Sequence, residues 1–71
     1  MDKEKCSFVI YMIHACANTW NLRPTEVYSL LEMSGCIDKF LVPDFDILHT
    51  QSTVYVVEDI KKYLEVRGWK V

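Results

Sequence analysis

A chain of 71 residues with 51% hydrophobic, 13% aromatic and 25% charged side chains makes one domain and is too apolar for intrinsic disorder. The net charge is −2, and the eight Lys and Arg are scattered at Lys3, Lys5, Arg23, Lys39, Lys61, Lys62, Arg67 and Lys70. Neither the basic stripe of a nucleic-acid binder nor the cationic helix of a membrane-surface protein is present, so neither partner is expected.

The first element in chain order is a long helix over 4–20. Val9, Met12, Ile13, Cys16 and Trp20 recur at helical spacing, and Cys6, Ile10 and Ala17 widen the stripe. Ser7, Tyr11, His14 and Asn18 form the complementary polar seam, so this helix should be central and covered on most sides. Asn21-Leu22-Arg23 is a short connection. Pro24 suits the first position of a second helix, whose body runs Thr25 to Ser34 and stops at Gly35. Val27, Tyr28, Leu30, Leu31 and Ser34 share its apolar face.

Cys36 to Leu41 reads as a short apolar turn or helix broken at Val42-Pro43. Pro43, followed by Asp44 and Asp46, then starts another short helix reaching about His49. Thr53 to Arg67 carries Val56, Val57, Ile60, Tyr63 and Leu64 on one helical face, with Gly68 as terminator. The β-branched crowding at 53–57 would suit a strand. No second strand candidate exists to pair with it, so helix is the expectation. Trp69 and Val71 form an apolar tail folding back. The sum is an all-α, compact bundle of four to five short helices.

The chemistry-bearing residues are few. Cys6, Cys16 and Cys36 are an odd set with no CxxC spacing, which fits thiols serving as core hydrophobes in a reducing, cytoplasmic setting. Lys3 and Lys5 followed by FVIYMIHACA mimic a secretory leader, but Asp2, Glu4, Tyr11 and His14 argue against one. The corner Leu48-His49-Thr50-Gln51-Ser52 lies between apolar segments. Ser52 or Thr50 can cap the following helix, and His49 can sit at the preceding helix's C-terminus, with Asp46 three residues before it. The functional alternative makes His49, Thr50 and Gln51 a recognition patch. His14 with Tyr11 and Asn18 is a second polar group, which could form a small cleft with His49 or simply face solvent. Asp59, flanked by Tyr55 and Val66 at the edge of the last apolar face, is a candidate partner contact. Phe8, Met33 and Tyr55 fall off the main apolar faces and are candidate anchors.

No catalytic or metal-ligating set is expected. Glu58 and Asp59 are helix neighbours that point about 100° apart and so form no carboxylate dyad. Two lone histidines lack further ligands at zinc spacing, and two glycines leave no phosphate-cradling loop.

Three segments resemble a family of very small bacterial proteins catalogued as a domain of unknown function. They are Pro24-Thr25-Glu26-Val27-Tyr28 with Leu30-Leu31, Leu48-His49-Thr50-Gln51, and Tyr55 to Ile60 with Tyr63-Leu64 and Arg67-Gly68. The resemblance implies no assigned activity. It implies a partner encoded alongside, an ADP-ribosyltransferase-like protein in a toxin–antitoxin-type pair. Where that family tends to carry a small or polar cap before the second helix, this chain has Arg23.

The expectation for function is therefore a cytoplasmic, non-catalytic protein-binding module without cofactor, antitoxin-like or accessory to a neighbouring bacterial protein, or self-associating as a homodimer. Its candidate partner-binding residues are Phe8, Tyr11, His14, His49, Thr50, Gln51, Tyr55 and Asp59. The rival expectations are a small helical nucleic-acid-binding regulator, and a minimal ligand or enzymatic pocket around His14 and His49.

Overall fold

The computed structural model describes residues 2–71, and these form an all-α bundle with no strand among the described residues. Helix α1 (Lys3–Trp20) starts at Asp2, whose Oδ1 accepts the Glu4 N–H at 2.9 Å. It ends at Asn21, which takes the left-handed conformation (φ 56°) that Asn tolerates at a helix stop.

Helix α2 (Pro24–Ser34) has Arg23 at its N-cap. A guanidinium has no acceptor, so it cannot cap a backbone N–H. Half of a capping box remains, with the Arg23 N–H donating to Glu26 Oε1 at 3.0 Å. Gly35 (φ 80°) closes the helix with its N–H shared between the Leu31 and Glu32 carbonyls.

The expected apolar turn after Gly35 is a π-helical turn, Ile37–Leu41, with the Val42 N–H bonded to the Ile37 carbonyl at 3.0 Å. Pro43 follows directly and donates no N–H, so one rung is missing there, and the bonding resumes with the Asp44 N–H on the Phe40 carbonyl at 3.1 Å. A short α3 (Phe45–Leu48) comes next. Its N-cap is Asp44, which corrects the expectation that Pro43 opens this helix; the proline lies one residue before the cap.

Helix α4 (Thr53–Val66) includes the doubtful 53–57 segment, so the β-branched run is helical. Ser52 caps it, its Oγ accepting the Tyr55 N–H at 3.2 Å. The backbone N–H of Trp69 returns to the Leu64 carbonyl at 2.9 Å and its indole packs on the core, so the tail folds back at Trp69 as expected. Val71, expected to fold back with it, stays exposed. Replacing the cap, Ser52→Ala, is expected to cost about 0.5–2 kcal/mol in urea denaturation, whereas Thr50→Ala should cost less because Thr50 caps nothing at the start of α4.

The core draws Val9, Met12, Ile13, Cys16 and Ala17 from α1, Val27 and Leu31 from α2, and Val56, Val57, Ile60 and Leu64 from α4. Cys36, Ile37, Leu41 and Leu48 close it from the connecting turns. No polar or charged residue is buried among the described residues. The accessible surface is 4743 Å², close to the ~4600 Å² that mass scaling gives for a folded monomer of this size. The chain therefore folds as tightly as an ordinary small domain.

Three expectations about faces need correction. Tyr28, placed on the buried face of α2, is 49% exposed, and Ile10, placed in the buried stripe of α1, is 51% exposed. Cys6 is exposed as well. The physical reason is coverage: α1 packs against α2 and α4 on two sides, and no helix lies over the Cys6–Ile10 flank between them. Phe8 moves the other way, half-buried with its ring edge-on to Phe45 at 5.4 Å.

Candidate functional site

Tyr11 occupies the junction of α1 with the start of α4. Its hydroxyl lies 2.7 Å from Thr53 Oγ1, joining residues 42 apart in sequence, while its ring remains 55% exposed. A shallow groove opens on each side of it. One is lined by Tyr11, His14, Asn18, Thr53, Val54 and Val57. The other, of about 470 Å³, is lined by Lys3, Glu4, Ser7, Phe8, Tyr11, Phe45 and His49.

The two histidines therefore belong to different grooves, and the single His14–His49 cleft considered from sequence does not form. Among the described residues no group of three or more His, Cys, Asp or Glu converges as metal ligands.

His49 is held by its own helix. Its Nδ1 lies 2.8 Å from the Phe45 carbonyl, an acceptor, so Nδ1 carries the proton and Nε2 is left as the free ring nitrogen. The imidazole also stacks on the Phe45 ring, with centroids 4.6 Å apart and planes 11° from parallel. Asp46, the partner suggested by spacing, is not the residue that orients it. Thr50 Oγ1 donates to the Ile47 carbonyl at 2.7 Å and Ser52 caps α4. Three of the corner's four polar side chains thus hold the chain reversal together, and Gln51 is simply exposed. His49→Ala removes one stacking contact and one hydrogen bond, so it is expected to cost about 0.5–2 kcal/mol in thermal unfolding. A larger loss with no change in fold would mean that the ring braces more than Phe45.

Of the eight candidate residues, the structure brings together Phe8, Tyr11 and His49 in one groove and Tyr11 with His14 in the adjoining one. Asp59 is separate, in a groove with Phe40, Lys62, Tyr63, Val66 and Arg67. There the Arg67 guanidinium carbon lies 3.6 Å from the Tyr63 ring centre, and Tyr63 stacks on Phe40 at 5.5 Å. Tyr55 stands 53% exposed on α4.

A fourth groove was not anticipated. Val9, Ile13 and Ile37 form its buried floor, Cys6, Ile10 and Tyr28 its exposed walls, and Glu32 and Asp38 its charged rim. The neighbouring Glu32 carboxylate holds the Tyr28 hydroxyl above its ordinary range, with smaller contributions from burial and from the Asp38 charge. Tyr28 and Glu32 are four residues apart on α2, a spacing visible in sequence. What sequence could not show is that Ile10 stands uncovered opposite them.

A family model described as protein of unknown function (DUF3791) matches residues 7–67. The chain belongs to that family. The matched span runs from the second turn of α1 to the C-cap of α4, so the DUF3791 unit contains the greater part of every groove and all of the His49 corner. Outside it lie the Asp2 cap and the Trp69 tail. No curated protein and no solved structure matches this DUF3791 chain. No helix among its described residues is long and apolar enough to cross a membrane.

Proposed function

We propose that this chain is a non-catalytic protein-binding module, an accessory or antitoxin-like partner of a neighbouring bacterial protein. The observation that carries the reading is the composition of the exterior. Nine large hydrophobic residues are 41% or more exposed: Ile10, Tyr11, Tyr28, Met33, Ile47, Val54, Tyr55, Val66 and Val71. Since the total surface is that of a properly folded monomer, these side chains are not the product of loose packing. Several of them border grooves with apolar floors or walls, the arrangement that interface anchors occupy.

Catalysis finds little support in the geometry. Each polar side chain of the His49 corner with a resolved bond spends it on local backbone, and the Tyr11 hydroxyl is bonded to Thr53. A nucleophile oriented by a base, which covalent catalysis requires, has no counterpart in these bonds.

Co-expression with the products of adjacent genes tests the proposal. The first to try is the ADP-ribosyltransferase-like neighbour that the family resemblance implies. A stoichiometric complex by size-exclusion chromatography, with the neighbour protected from proteolysis, is the expected result. A chain that remains monomeric at high micromolar concentration and forms no complex with any adjacent gene product overturns it.

A further inference from the structure

The unanticipated groove between α1, α2 and the π-helical turn has the features of a specific receptor. Its α1 wall presents Cys6, Val9, Ile10 and Ile13 at i, i+3, i+4 and i+7, one continuous helical face. That face is about 10 Å long, two helical turns. Val9, Ile13 and Ile37 are each buried to 6–7% exposure and make an apolar floor. The opposite wall is Tyr28, half-exposed and amphipathic. The two charged residues that line the groove, Glu32 and Asp38, are both exposed and both acidic, and no basic residue lines it.

We infer that this groove binds an amphipathic helix of a partner protein, one that lays an apolar i, i+3/i+4, i+7 row on the Val9–Ile13–Ile37 floor and carries Lys or Arg beside that row. The inference rests on the partner-binding reading above and specifies its surface. Length selects a helix of at least two turns, because a groove walled along one helix face accepts side chains repeating at the same spacing. Charge selects a basic partner, since a cation on either flank meets Glu32 or Asp38 at the rim. A second copy of this chain is disfavoured by the same charges. Two-fold pairing through the groove places both acidic rims against each other in a molecule whose net charge is already −2.

The probe is a synthetic peptide of about four helical turns with Leu on one face and Lys on the other, long enough to be helical, compared with its Leu/Glu counterpart. Both are titrated into the isotopically labelled full chain, and backbone amide shifts are followed. The Leu/Lys peptide is expected to move the amides of Ile10, Tyr28, Glu32, Ile37 and Asp38 and to bind more tightly than Leu/Glu. The double variant E32K/D38K, altered only at exposed positions, should lose about tenfold in affinity for Leu/Lys, as two rim attractions become repulsions. Its preference should turn toward Leu/Glu. Equal binding of the two peptides, binding of neither, or shifts centred on Val54 and Tyr55 with affinity unchanged in E32K/D38K overturns the inference. A partner complex that forms equally well with E32K/D38K and with Ile10→Asp also overturns it while leaving the partner-binding reading intact. Absence of any complex with the unaltered chain removes that reading instead.

Discussion

Leu31→Ala is expected to lower stability by about 2–5 kcal/mol, the range for truncating a fully buried leucine. Leu31 has no exposed surface, and α2 places only one other residue, Val27, wholly inside. Leu31 and Val27 are therefore the two fully buried anchors of α2 in the shared core, and truncating Leu31 opens a cavity there. Stability for a domain of this length is on the order of 4–11 kcal/mol, so the variant should sit near the limit of folding. Each kcal/mol lost lowers Tm by about 4–8 °C in a domain of this size. The control is Met33→Ala on the same helix. Met33 is 71% exposed, so its truncation should change stability by no more than about 0.5 kcal/mol. Similar losses for the two variants in urea denaturation would show that α2 is not anchored through Leu31.

Alkaline pH should unfold the chain through two thiols. Cys16 and Cys36 are fully buried, and burial pushes each thiol up from 9.0 to about 12. For Cys16 the nearby Cys36 adds to the effect of burial; for Cys36 the Arg67 charge works weakly against it. Below pH 9 both thiols are protonated whether the chain is folded or not, and they contribute no pH dependence. Above pH 9 the unfolded chain ionises them while the fold holds them protonated, so stability falls as pH rises from about 9 to about 12. The displacement corresponds to at most roughly 4 kcal/mol per thiol, and two such losses approach the whole stability of the domain. The variant Cys16→Ala/Cys36→Ala begins less stable, through lost core volume, but its stability should fall much less over that range. Denaturation curves of the two proteins that decline in parallel between pH 9 and 12 would refute this. Exposed Cys6 supplies an independent check. In the native state at neutral pH it should be the thiol that alkylating reagents reach, with Cys16 and Cys36 reacting only on unfolding.

Most of the fold was legible in the chain because its local signals agree with one another. Pro24 and Gly35 bracket α2, Ser52 caps α4, and the spacing of Val56, Val57, Ile60 and Leu64 names the face that is buried. The helical outcome at 53–57 followed from an argument about partners, since β-branched residues cannot form a sheet alone. The opening of α3 was misjudged by two residues, at Pro43 where the first helical residue is Phe45. A proline before an aspartate suits either the first helical position or the residue before the cap, and only the backbone separates them. Less of the candidate surface was legible. Tyr11 and His14 were expected to face outward and do. Phe8, expected there too, is half-covered by Phe45. Tyr28 and Ile10 were assigned to the interior and stand at its edge.

What the sequence determined by itself was the all-α class, the stops of the longer helices and the centre of each core face, because periodicity and capping act within a few residues. Tertiary structure alone decided which apolar residues remain uncovered. Coverage depends on where the next helix crosses, and a helix stripe wider than its neighbours leaves a flank open at a position no local rule specifies. The grooves beside Tyr11 and the acid-rimmed groove at Ile10 both arise in that way, from side chains brought together by packing across separate elements.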